Sequence, residues 1–454
     1  MMRKNGSGIL ALSAGALCLM ILIGLVGKTV FAEAKSPWGP VVSEEFLVDD
    51  PVAIPHTRHQ FVDLVGFGGA SYLFWYDTTE SNLHGPLYLT RFSDEGTVLD
   101  PFGLNGYGES FGHVGASDNQ ALFLQSSYPG SGTAYIYARR FDADGNCLDP
   151  NSITIATVDT EYYLPDSIGV AFNGSNYLLA YFYQLGTMGS NDKLYVRSLN
   201  PNGSIGSAIL LMDEDFLANR NNFRITSNGD EFLLLRTYYD LDSPRVICGM
   251  RLNANGTSVN GTWVNLVTDT INTAEFMDEF EIVWDGTYYW LVYKKENASG
   301  YLSLYTTRIN TNLEVLDPDG ILIWDSTLRE NTASDFDVTT DGTQLLLTVI
   351  SHYYESYVDY NKIQAVRIGL DGTVLDDPPI LLDELNENNY YFRYMHSTYD
   401  GTNFVVGWMV NSADLKSFVS RISPDGTLLD LAGKTFAYSS ANEQIGRASC
   451  RERV

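Results

Sequence analysis

The stretch RIGLDGTVLDDPP (367–379) returns as RFSDEGTVLDPFG (91–103) and as RISPDGTLLDLAG (421–433). A sentence written near the start of a chain and again near its end marks a repeated structural unit. A second punctuation confirms it. Strand-like runs end at Asn173-Gly174, Asn228-Gly229, Asp285-Gly286, Asp341-Gly342 and Asp400-Gly401, with Gly68-Gly69 and Ser117-Asp118 in the same slot of two earlier copies. Positions 69, 118, 174, 229, 286, 342 and 401 are separated by 49, 56, 55, 57, 56 and 59 residues. The quoted turn falls at Gly96, Gly145, Gly203, Gly256, Leu313, Gly372 and Gly426. Seven units, each with two turns, therefore account for most of the chain.

Each unit reads as four strands. A short strand leads to the first turn, as in DSIGVAF (166–172). A denser one follows: YLFWY (72–76), YLLAYFY (177–183), YYWLVY (288–293), FVVGWM (404–409). These second strands are apolar without alternation, which requires cover on both faces. Asn-Gly and Asp-Gly pairs suit the positive φ angles of tight hairpins. No sustained helical period appears. Four antiparallel strands repeated about every 55 residues, with the central strand buried on both sides, predict an all-β chain. Its expected form is a single β-propeller of four-stranded antiparallel blades. A β-solenoid and a string of separate β-sandwiches are the alternatives. EEFLVDD (44–50) resembles a stray fourth strand. Either seven blades close and it merely leads in, or further sequence would complete an eighth; seven is the expectation.

The segments FNGSNYLLAY (172–181), WDGTYYWLVY (284–293) and RISPDGTLLD (421–430) resemble repeats of secreted bacterial β-propeller proteins. The resemblance covers about residues 57–440. It implies a fold and not an activity.

The ends stand apart. Arg3 and Lys4 precede an apolar run from Ile9 to Val26 and then Val30-Phe31-Ala32, the pattern of a signal peptide cleaved after Ala32. The run is also long enough to stay as an anchor helix. Leu17 before Cys18 spoils a lipobox. IGRASCRERV (445–454) resembles translated sequencing adapter. The expected organisation is signal peptide 1–32, lead-in 33–56, propeller 57–444 and artefact 445–454. Without leader and tail, 28 basic and 56 acidic residues become 22 and 55, a net charge of −33. Such a surface repels nucleic acid and anionic lipid. With the leader removed, a secreted or cell-surface monomer without membrane contact is expected, its partner an extracellular glycan or protein.

Alternating strand direction places both Gly turns of each blade on one face and the long connections on the other. DTTESNLHGP (77–86), TVDTEYYLPD (157–166) and DELNENNYYF (383–392) are among those connections, and long loops on a rigid scaffold commonly carry recognition. Their Tyr, Asp, Glu and Asn suit sugars or cations, although acidic loops are often merely solvated. Six residues before each first turn stand Asp63, Gly112, Ile168, Phe223, Phe280, Phe336 and Met395, expected to ring the axis. With their loop-side neighbours, the channel-mouth candidates are Asp63, Tyr163, Asp166, Arg220, Asp278, Glu279, Asp335, Tyr390 and Arg393. Clustered carboxylates and guanidinium groups at a mouth could act as acid, base and anion clamp, or simply neutralise one another between blades.

Arg91, Arg140, Arg251, Arg308, Arg367 and Arg421 share one slot, broken by Ser198, and are expected to pair with nearby Asp as scaffold. Asp142-Ala143-Asp144-Gly145 and Asp317-Pro318-Asp319-Gly320 resemble fragments of calcium loops without the remaining ligands. No cofactor is expected, with calcium the one candidate. His56, His59, His84, His113, His352 and His396 lack zinc-ligand spacing, and no nucleophile motif or phosphate loop occurs. Cys147 and Cys248 fall on non-adjacent units and are expected to be free. A secreted, non-catalytic recognition or scaffold module is the leading expectation, and a carbohydrate-active hydrolase or lyase the alternative.

Overall fold

The structure is a computed structural model and describes residues 54–439. Within that span, residues 56–58, 78–86, 102, 106–111, 128–132, 160–167, 185–191, 215–222, 239–244, 270–278, 297–301, 327–331, 356–357, 386–390, 412–415, 432 and 436–437 lie outside the described set. Seven four-stranded antiparallel sheets follow one another along the chain, each with its strands in consecutive order. Blade 6, for example, runs through Thr332–Thr340, Gln344–Glu355, Val358–Gly369 and Ile380–Leu385. The first strands are His59–Phe67, Gly112–Ala116, Ile168–Phe172, Phe223–Ser227, Phe280–Trp284, Thr332–Thr340 and Tyr391–Tyr399. Each touches the first strands of both neighbouring blades, and that of blade 7 returns to blade 1. The molecule is a closed seven-bladed β-propeller.

Burial explains the closure. Seven apolar clusters fill the seven gaps between consecutive blades, the last joining Phe61, Leu73 and Trp75 of blade 1 to Val405, Met409 and Val419 of blade 7. Second-strand runs such as Leu345-Leu346-Leu347 are buried throughout, because alternate side chains enter opposite gaps. Burying a Leu or Phe contributes about 1.5–3 kcal/mol, so each gap is a miniature core.

The recurrent arginine braces the second turn. Arg91–Asp100, Arg140–Asp149, Arg308–Asp317, Arg367–Asp376 and Arg421–Asp430 pair at 2.6–2.8 Å, and in each pair the arginine amide also donates to the same aspartate. The remaining guanidinium nitrogen reaches the next blade's turn: Arg91 to the Ala143 carbonyl, Arg367 to that of Pro424, and Arg421 to that of Asp94. Seam and interior are thus held alike. Where the slot holds Ser198, Arg197 substitutes by donating to the carbonyls of Gly206 and Ile155. Arg251 pairs with Glu231 instead of an aspartate. At Gly96 the backbone has φ 86°, and a Cβ there would collide with the Arg421 guanidinium, so glycine is required twice over. Leu313 takes the same left-handed conformation at φ 66°, with its side chain buried in the gap between blades 4 and 5.

Candidate functional site

Asn403 in the first turn of blade 7 donates to the Asp94 carbonyl in the second turn of blade 1 at 3.0 Å, so both sets of Gly turns occupy one face. The strand ends that lead into the long connections lie on the opposite face. The segments around Tyr163, Asp166, Arg220, Asp278 and Tyr390 lie outside the described residues.

The ring expected six residues before each turn is corrected by the structure. Ile168, Phe223, Phe280, Phe336 and Met395 are buried in the gaps, each packed against the preceding blade. The polar ring lies one residue later, at His113, Arg224, Glu281, Asp337 and His396, because successive strand side chains point to opposite faces. Asp63 joins it through the bulge between Phe61 and Asp63.

Polar contacts link these residues from blade to blade. Asp63 accepts the Val114 amide at 2.9 Å and lies 3.7 Å from His113 Nδ1 and 3.5 Å from His396 Nδ1. Arg224 holds Glu281 through bonds of 2.5–2.8 Å. Asp337 Oδ2 accepts the Ser397 amide at 2.5 Å and its hydroxyl at 2.8 Å. Charges on non-adjacent blades also feel one another, Glu281 acting on His396 and Asp337 on Arg224, so all face one central space.

That space splits the carboxyls. Burial works to raise Asp63, but His396, His113 and the Val114 amide outweigh it and hold the group below the usual carboxylate range. Burial and the neighbouring Glu281 push Asp337 up to about 7. Burial likewise raises Asp335. His396 would be lowered by burial, yet Asp63, Asp337, Asp335 and Glu281 together raise it.

Towards the long-connection face this throat opens into a pocket of about 600 Å³ lined by blades 5, 6 and 7. Three of the expected residues, Glu279, Asp335 and Arg393, meet there, joined by His352, Asn361 and Tyr391. Glu279 is neutralised by Lys294, which also donates to the Ser334 carbonyl at 3.1 Å. The Arg393 guanidinium lies 4.6 Å over the Tyr391 ring. Asp63 sits deeper, in the throat.

No protein-family model matches the chain, and no curated protein matches it in sequence. The fold is similar to that of several solved propeller proteins. Pyrococcus horikoshii acylaminoacyl peptidase aligns at 10% identity and TM-score 0.48, over 87% of this chain and 54% of that one. The chain thus spans about half of that peptidase's length. The propeller domain of the Trilobed protease from Pyrococcus furiosus aligns at 9% identity and TM-score 0.46, covering 83% of this chain and 96% of that domain. An exo-1,5-α-L-arabinanase from a bovine ruminal metagenomic library aligns at 11% identity and TM-score 0.34, over 57% and 94%.

Two of the pocket's three blades also carry a bulged first strand. Among the described residues, the first strands of blades 1, 6 and 7 each carry a register shift, at Phe61/Asp63, Ala333/Asp335 and Arg393/His396, and the described parts of those of blades 2–5 carry none. Tyr394, inside the third shift, takes a left-handed φ of 50°. Bulges re-aim side chains, and strained residues gather at working sites. Sequence reading missed His113, Asp337 and His396 because it counted six residues back from each first turn, and these stand five back, on the opposite face of the strand; His352, on a second strand, lies outside that series. Strict alternation from the turn would have found the two throat residues on blades 6 and 7.

Asp142 spends its carboxylate on the Asp144 and Asn146 amides, and Asp317 on Arg308, as turn and brace residues do. Cys147 and Cys248 are free thiols on blades 2 and 4.

Proposed function

We propose that this chain is a secreted, non-catalytic recognition propeller that takes a carbohydrate at the mouth pocket of blades 5–7. The pocket is the observation that carries this reading. It combines an aromatic surface at Tyr391 and Tyr394 with planar and charged hydrogen-bonding groups at Asn361, Asp335 and Arg393. Sugars need both kinds of surface, one against their C–H faces and the other for their hydroxyls. The acidic exterior supports a soluble monomer that avoids nucleic acid and anionic lipid. A glycan array identifies the sugar, and calorimetry with Asp335→Asn and Arg393→Ala tests the site. Each substitution is expected to weaken binding by roughly tenfold, about one lost charged hydrogen bond. Unchanged affinity in both variants would move the site elsewhere.

The divergent carboxyls favour a second reading, a glycoside-cleaving enzyme. Asp337, pushed up to about 7, is suited to donate a proton while Asp63 stays ionised. In that case reducing sugar is released on incubation with the bound glycan, and Asp337→Asn abolishes the release. A stable glycan complex without turnover excludes it.

A further inference from the structure

The charges of the pocket are not balanced locally. Lys294 is committed to Glu279 and the Ser334 carbonyl, and Arg224 to Glu281. Asp335 accepts only the amide of Phe336, at 2.9 Å, and makes no ion pair among the described residues. Arg393 is more than a third exposed, stacks on Tyr391, and likewise pairs with no carboxylate among the described residues. One wall, from blades 5 and 6, therefore presents a carboxylate with no direct ion-pair partner among the described residues; the other, from blade 7, presents a guanidinium in the same condition. Burial raises the Asp335 carboxyl, with His396 and Lys294 acting against that rise and Glu279 and Glu281 adding to it. The two charges stay apart because they belong to different blades and are each held by a bulged strand.

We infer that the pocket takes an amphoteric ligand, its ammonium group against Asp335 and its carboxylate against Arg393. This rests on the carbohydrate reading and narrows it: the sugar is one that carries a free amino group and a carboxylate together. A planar fork such as guanidinium suits a carboxylate bidentately, while the short Asp335 side chain beside Glu279 suits a compact ammonium. A neutral sugar would leave both charges without partners in a half-enclosed site, and such unpaired groups penalise the wrong ligand. The pocket volume of about 600 Å³ accommodates two or three sugar rings.

The test is calorimetry of the full chain at one fixed pH near neutrality with four matched saccharides: neutral, aminated, carboxylated, and bearing both groups. Free zwitterionic amino acids serve as a fifth probe. The doubly charged sugar is expected to bind roughly tenfold tighter than either singly charged one, with an advantage that shrinks in high salt. Asp335→Asn should abolish the contribution of the amino group alone, and Arg393→Gln that of the carboxylate alone. Circular dichroism of both variants excludes misfolding as the cause. Equal affinity for the neutral and doubly charged sugars overturns this inference and leaves the carbohydrate reading intact. Binding of amino acids but of no sugar overturns the carbohydrate reading while upholding the charge pattern. Silence from all five probes overturns both.

Discussion

Asp337 shows how position alone sets a residue's chemistry. It sits one residue along the strand from Phe336, which is 4% exposed in the gap between blades 5 and 6, yet its own carboxyl enters the throat and faces the charge of Glu281. Its folded pKa of about 7 lies above the ordinary aspartate value of 3.8. An acid raised in this way binds its proton more tightly when folded. Its stabilising effect is therefore complete at low pH and is lost as pH rises from about 4 to about 7. Asp337→Asn keeps an acceptor for Ser397 and removes the charge. Its melting temperature should match the parent's at or just below pH 4 and exceed it by about 2 °C at pH 8. An equal gain at both pH values would refute the electrostatic account.

At the scale of the element, the arginine brace ties a turn to its own blade and to the next. Its worth depends on how dry it is. The side chains of Arg421 and Asp430 are 10% and 2% exposed, those of Arg308 and Asp317 26% and 16%. Removing one partner of a buried pair strands the other charge and costs about 3–5 kcal/mol, whereas an exposed pair contributes about 1 kcal/mol or less. Urea denaturation should therefore find Arg421→Ala the more damaging substitution, with a loss near the lower end of the buried range, and Arg308→Ala at about half that loss. Equal losses would mean that the braces act only through packing. This brace was legible in the sequence as an arginine repeated at one slot beside aspartates. Its reach into the following blade was not, since Arg421 and Asp94 are far apart in the chain.

At the scale of the molecule, the four-stranded sheets of blades 1 and 7 are each built from consecutive strands, and Ile54–Pro55 pairs with Tyr438–Ser439 in a separate two-stranded sheet. The seam differs from an interior gap in lacking a direct peptide connection. Two matched bonds expose the difference. Asn176 donates to Ala254 between blades 3 and 4 at 2.8 Å, and Asn403 donates to Asp94 across the seam at 3.0 Å. Alanine at either position should cost about 1 kcal/mol at equilibrium. If unfolding begins by opening the seam, Asn403→Ala should speed unfolding about fivefold and Asn176→Ala hardly at all. Stopped-flow unfolding rates decide, and equal acceleration by the two would place the first rupture elsewhere.

Sequence by itself determined the repeat, the four strands of each unit, the turn residues and the brace, because turn chemistry and two-sided burial are local demands written into every copy. It also placed Glu279, Asp335 and Arg393 near a mouth, by counting from those turns. Tertiary structure decided which side chains face the axis, because a shift of one residue reverses a strand's faces and three bulges adjust the count locally. It alone gathered Asp63, His113, Asp337 and His396, which lie on four different blades. Counting from each turn gives the strand face, and only ring closure makes the faces of distant blades meet.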